Sequence, residues 1–286
     1  MKLLIRQIEV SLDYNQAKVI NAVASRLGAN TRDIKSCEIV RRSLDARPWR
    51  KAPVYILTVE TDYVGKVNIK KLPKNIELVN DKLRDKDIDL SRAKPLSIRP
   101  VIVGAGPSGL MAALLLARAG AKPILLERGS KAEDRSEAVN QFWKDGKLNL
   151  NNNVLFGEGG AGLFSDGKLT ARSKDRRRIR LFFEELVKAG ANPEILIEAE
   201  PHLGSDTLLK IIPNLRKEII SNGGEIRYNT ALTEINIKDG KIESIFAGNE
   251  KIDTHYLFLA TGHSARDIYW LLASHNVSME TKPTAI

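Results

Sequence analysis

The sequence is poor in cysteine, with Cys37 as the single cysteine among 286 residues. One thiol cannot form an intrachain disulfide, which excludes a disulfide-stapled secreted scaffold and predicts a reducing, cytoplasmic location. The same scarcity excludes a Cys-x-x-Cys redox pair, so redox chemistry would need a bound cofactor. The four histidines show no metal-ligand spacing, and we therefore expect no metal site.

Long apolar segments are also missing. The apolar run at residues 110–117 is far shorter than the roughly 20 residues that span a bilayer. At the N-terminus, Lys2 and Arg6 interrupt the apolar residues before a signal-peptide core develops. The hydrophobic fraction of 43% is nevertheless sufficient for a packed core, and the length fits about two domains. The sequence thus predicts a folded protein without membrane association.

Acidic residues are scarce in the N-terminal third. Residues 1–95 contain 20 Lys and Arg against 12 Asp and Glu, whereas residues 96–286 contain 25 against 23. A basic excess is compatible with nucleic acid or another acidic partner. Because no aromatic-rich strand motif of the RNA-binding type accompanies it, a solvated basic surface explains the excess better. Nucleic acid is kept as an alternative partner.

Residues 1–95 predict a small ferredoxin-like α+β domain followed by a linker. Alternating apolar residues near residues 8–12 predict a strand, and the apolar spacing of residues 20–27 predicts a helix that ends at Gly28. Three further strands are expected near residues 34–42, 54–60 and 76–79. With a weak second helix, the order β-α-β-β-α-β is that of a ferredoxin-like module. The charged residues 81–95 are interpreted as the linker.

Residues 96–286 predict a Rossmann-like α/β domain with a parallel sheet. The apolar run at residues 101–103 has no alternation, as expected for a strand buried on both faces. A helical stripe over residues 110–117 and a second apolar run at residues 124–126 complete a βαβ unit of the length that binds nucleotides. The glycine-rich turn inside this unit carries the chemistry.

That turn is a G-x-G-x-x-G motif formed by Gly104, Gly106 and Gly109. Gly104 permits the tight turn, Gly106 lets the backbone approach a pyrophosphate, and Gly109 lets the helix pack against the strand. Glu127 follows the second strand, where its carboxylate can accept hydrogen bonds from ribose hydroxyls and would repel a 2′-phosphate. Arg128 argues the other way, since a guanidinium can bind that phosphate.

These residues resemble a known group of flavoproteins. Residues 101–110, together with Glu127-Arg128-Gly129, are similar to the FAD-binding opening of glutathione-reductase-like flavoproteins. Residues 258–262, which end in Ala-Thr-Gly, are similar to the segment that leaves the sheet beside the cofactor in those proteins. Residues 225–230 with Leu232 resemble their stretch beside the adenine.

A more specific resemblance is carried by residues 156–169, 201–206 and 261–267. These segments resemble the uncharacterised bacterial FAD-dependent dehydrogenase family, NAD(P)/FAD-dependent oxidoreductases whose members also have a small N-terminal α+β domain. Residues 42–47 are similar to part of that domain. Members of this family are longer, and the late Gly-Asp segment that closes the FAD site in such flavoproteins has no counterpart here. We therefore expect the domain at 96–286 to be incomplete at its C-terminus.

Residues 157–162 also satisfy G-x-G-x-x-G. A second nucleotide site is not expected there, because Gly167 falls where the following helix should run. We interpret the segment as a loop whose N–H groups form an anion-binding nest against the flavin or its pyrophosphate, with a purely structural loop as the alternative.

Several further residues are weaker candidates. His202 and His263 could donate protons, although a structural hydrogen-bonding role explains each better. The run of Arg176, Arg177, Arg178 and Arg180 is interpreted as the solvated face of a helix start, with binding of an acidic substrate as the alternative. No residue is assigned a catalytic step.

The resemblance implies an FAD-dependent oxidoreductase that uses bound flavin for hydride transfer. Its partners would be a small-molecule substrate of unknown identity and NAD(P)H as a candidate electron donor. The alternatives are a flavin-dependent RNA-modifying enzyme and a truncated nucleotide-binding module without catalysis. The predicted cofactor-binding residues are Gly104, Ala105, Gly106, Pro107, Ser108, Gly109, Glu127, Arg128, Arg135, Gly159, Gly160, Ala161, Leu232, Ala260, Thr261 and Gly262.

Overall fold

The computed structural model describes residues 1–65, 72–79, 88–165, 167–169, 173 and 175–281. The chain forms two compact units. The first comprises Met1–Asp87 and Lys168–His202, and the second comprises Ile88–Gly167 and Leu203–Ile286. The sequence predicts a single domain boundary near residue 95. In the structure residues 168–202 return to the first unit, and no local sequence pattern indicates this return.

The first unit contains a four-stranded antiparallel sheet in the order β2-β3-β1-β4. A helix, α1, follows β1; it begins after Asn15, whose side chain accepts a hydrogen bond from the Lys18 N–H at 3.0 Å, and it ends at Gly28 with φ 60°. The weak second helix predicted between β3 and β4 falls partly on residues 66–71, outside the described residues, so the ferredoxin-like assignment stays a prediction. The elements are β1 (Lys2–Ser11), α1 (Gln16–Leu27), β2 (Ile34–Asp45), β3 (Val54–Tyr63) and β4 (Ile76–Leu78).

One face of this sheet and α1 form the core of the first unit. Side chains from alternate strand positions and from one face of α1 are buried together, because the strand period of two and the helical spacing direct them to the same side. The fully buried members are Leu3, Ile5, Val19, Val23, Leu57 and Val59.

Residues 168–202 are joined to this unit by backbone hydrogen bonds to β2. The Arg42 N–H donates to the Ile197 carbonyl at 2.6 Å, and the Ala199 N–H donates to the Arg42 carbonyl at 2.8 Å. The Arg42 guanidinium reinforces the contact by donating to Glu198 Oε1 through Nε at 3.1 Å. The segment also contains the helix α4 (Arg176–Lys188).

The second unit contains the predicted parallel sheet, in the order β11-β5-β6-β7. Val101, Ile102, Leu125 and Leu126 are buried in its two central strands, which explains the continuous apolar runs in the sequence. The strands are β5 (Val101–Val103), β6 (Ile124–Leu126), β7 (Glu225–Arg227) and β11 (Leu257–Leu259).

Among its described residues, a smaller antiparallel sheet and four α-helices complete this unit. The small sheet has the order β10-β9-β8, and the sequence patterns did not predict it. None of the described helices is both long and apolar enough to span a membrane. The remaining elements are α2 (Pro107–Arg118), α3 (Ala132–Asp145), α5 (Ser205–Ser221), β8 (Leu232–Lys238), β9 (Lys241–Ala247), β10 (Glu250–Asp253) and α6 (Arg266–Ser274).

The turn after β2 is organised by the nearly buried carboxylate of Asp45. Arg47 donates to it through Nε and Nη2, both at 2.7 Å, and Arg50 donates through Nε at 2.6 Å. The Arg47 guanidinium also lies over the ring of Trp49, with 4.5 Å from Cζ to the ring centroid. The hydrogen bonds from Arg47 and Arg50 hold the pKa of Asp45 well below its ordinary value.

We expect Asp45→Asn to lower the urea midpoint of unfolding at neutral pH. Because the folded-state pKa of Asp45 is lowered, its stabilisation is present above the ordinary carboxyl pKa of about 4 and is lost progressively as the pH falls below that value. The difference between wild type and variant should therefore shrink between about pH 4 and pH 2. Urea titrations of both proteins across this range measure it, and a constant difference would contradict the assignment.

Candidate cofactor-binding site

A cavity of about 510 Å³ opens at the carboxyl ends of β5, β6 and β11. Parallel strands end at the same edge of a sheet, so the loops that follow them meet there, which is the usual ligand position in such folds. The structure thereby brings together most of the predicted cofactor residues. Those that line the cavity are Gly104, Gly106, Pro107, Ser108, Glu127, Arg128, Gly160, Ala161, Leu232, Ala260, Thr261 and Gly262.

The three motif glycines have different structural roles. Gly104 has φ 101°, and an added Cβ would lie 2.5 Å from the Ala260 carbonyl oxygen. A Cβ on Gly109 would lie 1.8 Å from the Gly104 carbonyl oxygen. Gly106 has an extended backbone that any residue adopts, and the nearest atom to an added Cβ is the Gly160 Cα at 3.8 Å. The protein itself needs Gly104 and Gly109, whereas Gly106 leaves open space on the cavity side.

That space lies at the N-terminus of α2. Gly106 is the N-cap residue and makes no side-chain capping bond, and Pro107 occupies the first helical position. The first N–H groups of a helix have no partner within the helix, and the helix dipole adds partial positive charge there. This end of the cavity is therefore suited to an anionic group such as a pyrophosphate.

The carboxylate of Glu127 connects three loops of the site. Its Oε2 accepts a hydrogen bond from the Ala105 N–H at 2.7 Å, and its Oε1 accepts from Gly129 at 2.8 Å and Gly157 at 3.0 Å. The residue is 4% exposed, yet it lines the cavity. A carboxylate offers about four acceptor positions, so one position on Oε2 is left for a ligand hydroxyl.

The second glycine-rich segment packs against the first. The Gly159 N–H donates to the Ala105 carbonyl at 2.8 Å, and a Cβ on Gly160 would lie 3.2 Å from the Gly106 Cα. A short 3₁₀ helix at Ala161–Phe164 follows instead of the long helix that a nucleotide-binding motif requires. Gly159 does not line the cavity; a Cβ there would lie 2.4 Å from Ile212 Cδ1, so this glycine serves packing against α5.

Arg135 differs from its predicted role as a cofactor contact. Its side chain is fully buried on α3 and does not line the cavity. Nη1 donates to the carbonyls of Glu158 at 2.7 Å and Gly160 at 2.9 Å, and Nη2 donates to those of Asn153 at 2.8 Å and Val154 at 3.1 Å. Burial lowers the pKa of Arg135 to about 10, so the guanidinium stays charged at neutral pH. Arg135 thus anchors the backbone of the glycine-rich loop on the side away from the cavity.

Ala105 and Gly109 complete the set of predicted residues that lie outside the cavity wall. Ala105 is fully buried, and it contributes its N–H to Glu127 and its carbonyl to Gly159. Both residues therefore shape the β5–α2 turn through the backbone. A sequence motif marks such residues together with the ligand contacts because it cannot separate the two roles.

A buried polar cluster next to the glycine-rich loop was missed by sequence reasoning. Glu158 is fully buried and accepts hydrogen bonds from the Ala132 N–H at 2.9 Å and the Tyr228 hydroxyl at 2.5 Å. Arg216 Nε lies 3.3 Å from the same carboxylate. Burial raises the pKa of both Glu158 and Tyr228. These residues are far apart in sequence, and no local signal connects them.

Arg128 makes two contacts within the protein. It pairs with Asp267 of α6, and its Cζ lies 4.5 Å from the centroid of the Phe156 ring. The positive charge that favoured a 2′-phosphate in the sequence argument is thus balanced by a carboxylate.

The start of α6 adds residues to the cavity that the sequence analysis did not include. Ile268, Tyr269 and Leu272 line it, and the signal that could have found them is the amphipathic stretch directly after Ala-Thr-Gly. His263 also lines the cavity, where its Nε2 lies 3.2 Å from Ser264 Oγ. His202, by contrast, belongs to the first unit, where its backbone forms an isolated antiparallel β-bridge with Lys168. Among the described residues no group of three or more His, Cys, Asp or Glu could hold a metal ion.

We expect Arg135→Lys to destabilise the protein by roughly 2–4 kcal/mol, because a lysine keeps the charge but cannot donate to all four carbonyls. The free energy of unfolding from urea titration measures the effect. Arg178→Ala is the control, since that side chain is 85% exposed and its ion pair is with Asp175, three residues away. Equal stability of the Arg135 variant and the control would contradict the anchoring role.

Comparison with known proteins supports the cofactor class. Residues 98–141 match the model of an FAD binding domain, and residues 1–62 match a domain of unknown function (DUF8436). A curated protein of Clostridium beijerinckii (strain ATCC 51743 / NCIMB 8052), described as an uncharacterized protein, is 41% identical over 296 residues, which cover 100% of this chain. The match covers 53% of that relative, so the chain spans about half its length.

Solved structures give more distant matches. The structure of Thermovibrio ammonificans THI4 is 17% identical, with a TM-score of 0.43 and coverage of 66% of both chains. Glycine oxidase from Bacillus cereus ATCC 14579 is 14% identical, with a TM-score of 0.35 and coverage of 63% of this chain and 59% of that one. At these scores the likeness adds no substrate or activity. The βαβ unit with the glycine motif and Glu127 thus lies within the residues that match an FAD binding domain.

Proposed function

We propose that the whole protein is an FAD-dependent oxidoreductase that transfers a hydride between bound flavin and a small-molecule substrate. The observation that carries the proposal is the open space at Gly106, at the N-terminus of α2, within the part of the chain that matches an FAD binding domain. Bound FAD would supply the two-electron redox chemistry, and the protein would supply binding and orientation.

Each part of the cavity suits a different part of the cofactor. The N-terminus of α2 and the facing loop at Gly160 and Ala161 would hold the pyrophosphate. The remaining acceptor position on Glu127 Oε2 suits a ribose hydroxyl. The segment that ends in Leu232 forms an apolar wall suited to the adenine. Ala260–Gly262, after β11, would lie along the rest of the cofactor.

The charges and polar groups of the cavity bear on the electron donor and the substrate. The charge balance at Arg128 leaves Glu127 to disfavour a 2′-phosphate in this cavity, so FAD, which has none, suits it better than NADP. NAD(P)H would act as a donor to bound flavin and not as the occupant of the glycine-motif site. The polar groups of His263 and Ser264 are the candidates to orient a substrate.

We expect Gly106→Asp to abolish FAD binding without loss of stability. Asp is a favourable N-cap residue, and the extended backbone and open space at Gly106 accept it. Its carboxylate would occupy the space of the pyrophosphate and repel it. The measurement is the visible flavin absorbance that remains after incubation with excess FAD and desalting, together with the thermal midpoint of each protein.

Gly162→Ala is the matched control, because a Cβ on Gly162 has no atom within 4 Å. It should retain flavin, whereas Gly109→Ala should lose both flavin and stability. Flavin retained by Gly106→Asp would contradict the placement of the pyrophosphate. The oxidoreductase activity is tested separately by anaerobic incubation of the flavin-loaded protein with NADH or NADPH, and flavin that is bound but never reduced would favour a binding module without catalysis.

A further inference from the structure

A second cavity, of about 490 Å³, lies within the first unit. It separates the sheet face opposite α1 from the returning segment of residues 168–202. Cavities of about 300–1,000 Å³ are of the size that binds small molecules. Its apolar walls come from the sheet and from the returning segment, and they include Leu4, Val40, Leu169, Ile179, Phe183 and Leu196.

Two β-bulges lie on either side of one residue in the floor of this cavity, Thr58 of β3. In the pairing of β1 with β3, Arg6 and Gln7 on β1 oppose Thr58 alone. Gln7 has φ 59°, a left-handed conformation that a residue with a side chain adopts at a cost. Strained backbone of this kind points to a function that maintains it.

The second bulge lies on β2. Val40 and Arg41 both oppose Thr58, because Ile39 pairs with Val59 and Arg41 with Thr58. In a regular strand, consecutive side chains point to opposite faces of the sheet. Val40 and Arg41 instead both line the cavity. The bulge is what directs Arg41 to it, and bulges next to binding sites commonly redirect side chains in this way.

Three arginines from three elements therefore line one cavity: Arg6, Arg41 and Arg180 of α4. Arg6 donates one N–H to Glu77 at 2.9 Å, and Arg180 donates one to Glu184 at 2.8 Å. A guanidinium has five N–H donors, so both keep most of theirs.

The opposing charges in the wall are Glu198 and Glu200. The Glu198 carboxylate is engaged by Arg42, which lies outside the cavity wall. Glu200 is thus the one lining carboxylate without an ion pair in the described part of the chain. The unused N–H donors of these arginines favour a ligand with a hydrogen-bond-accepting anionic head, and the apolar walls favour a hydrocarbon body.

We propose that this cavity binds a small amphipathic carboxylate, with its anionic head between Arg41 and Arg180 beside Thr58 and its apolar part against Ile179 and Phe183. The site is separate from the FAD cavity in residues and in chemistry. The proposal does not depend on the oxidoreductase function.

The experiment compares three ligands with the same apolar chain: octanoate, octylammonium and octanol. Binding to the full chain, loaded with FAD, is followed by NMR of isoleucine methyl groups. Ile179 reports on the second cavity and Ile268 on the FAD cavity. Octanoate should shift the Ile179 signal and bind about tenfold more tightly than octanol, and octylammonium should bind more weakly than either.

Substitutions on α4 and β2 test the role of the guanidinium groups. Arg41→Ala and Arg180→Ala should each weaken octanoate binding about tenfold and leave octanol binding unchanged. Arg178→Ala, on the same helix but outside the cavity wall, is the control and should have no effect. The proposal is overturned if octanoate and octylammonium bind equally, if Ile268 shifts instead of Ile179, if Arg178→Ala weakens binding as much as Arg180→Ala, or if octanoate does not bind.

Discussion

The cofactor cavity depends on one buried carboxylate. Glu127 accepts hydrogen bonds from backbone N–H groups of three separate loops, and no other described residue connects the β5–α2 turn, the start of the β6–α3 connection and the glycine-rich loop. A buried carboxylate is tolerated only when such donors replace water. Arg135 is its counterpart, since it donates to two carbonyls of the glycine-rich loop and to those of Asn153 and Val154 just before it. The backbone loops of the cavity wall are therefore held in place by the buried side chains of Glu127 and Arg135.

This construction explains which parts of the site could be predicted from sequence. The motif glycines and Glu127 carry local steric and hydrogen-bonding requirements, so their spacing alone predicts the turn, the helix and the strand end. Arg135 was predicted to contact the cofactor, whereas its side chain is buried among backbone carbonyls, because that burial is set by contacts distant in sequence. The cluster around Glu158, the small antiparallel sheet and the contribution of α6 likewise depend on tertiary contacts that no local pattern encodes.

The first unit also shows what local sequence patterns can and cannot predict. Alternation and capping residues predicted its strands and α1, because each depends on neighbours within a few positions. The joining of residues 168–202 to β2 could not be predicted, since it rests on backbone hydrogen bonds at Arg42 between residues about 155 positions apart in sequence. The two bulges at Thr58 are equally invisible, because register is fixed by the partner strands.

The return of residues 168–202 has a consequence for synthesis on the ribosome. The β-sheet of the first unit is complete once β4 has emerged, yet β2 is an edge strand whose later partner has not been made. Domains made early in translation generally fold as units, at about 5–20 residues per second. The edge at Arg42 then stays open while residues 80–199 are translated, which takes roughly 6–24 seconds at that rate. An unpaired edge is a site of mispairing between chains, so in this interval the backbone groups of Arg42 are available to the nascent chain of a neighbouring ribosome.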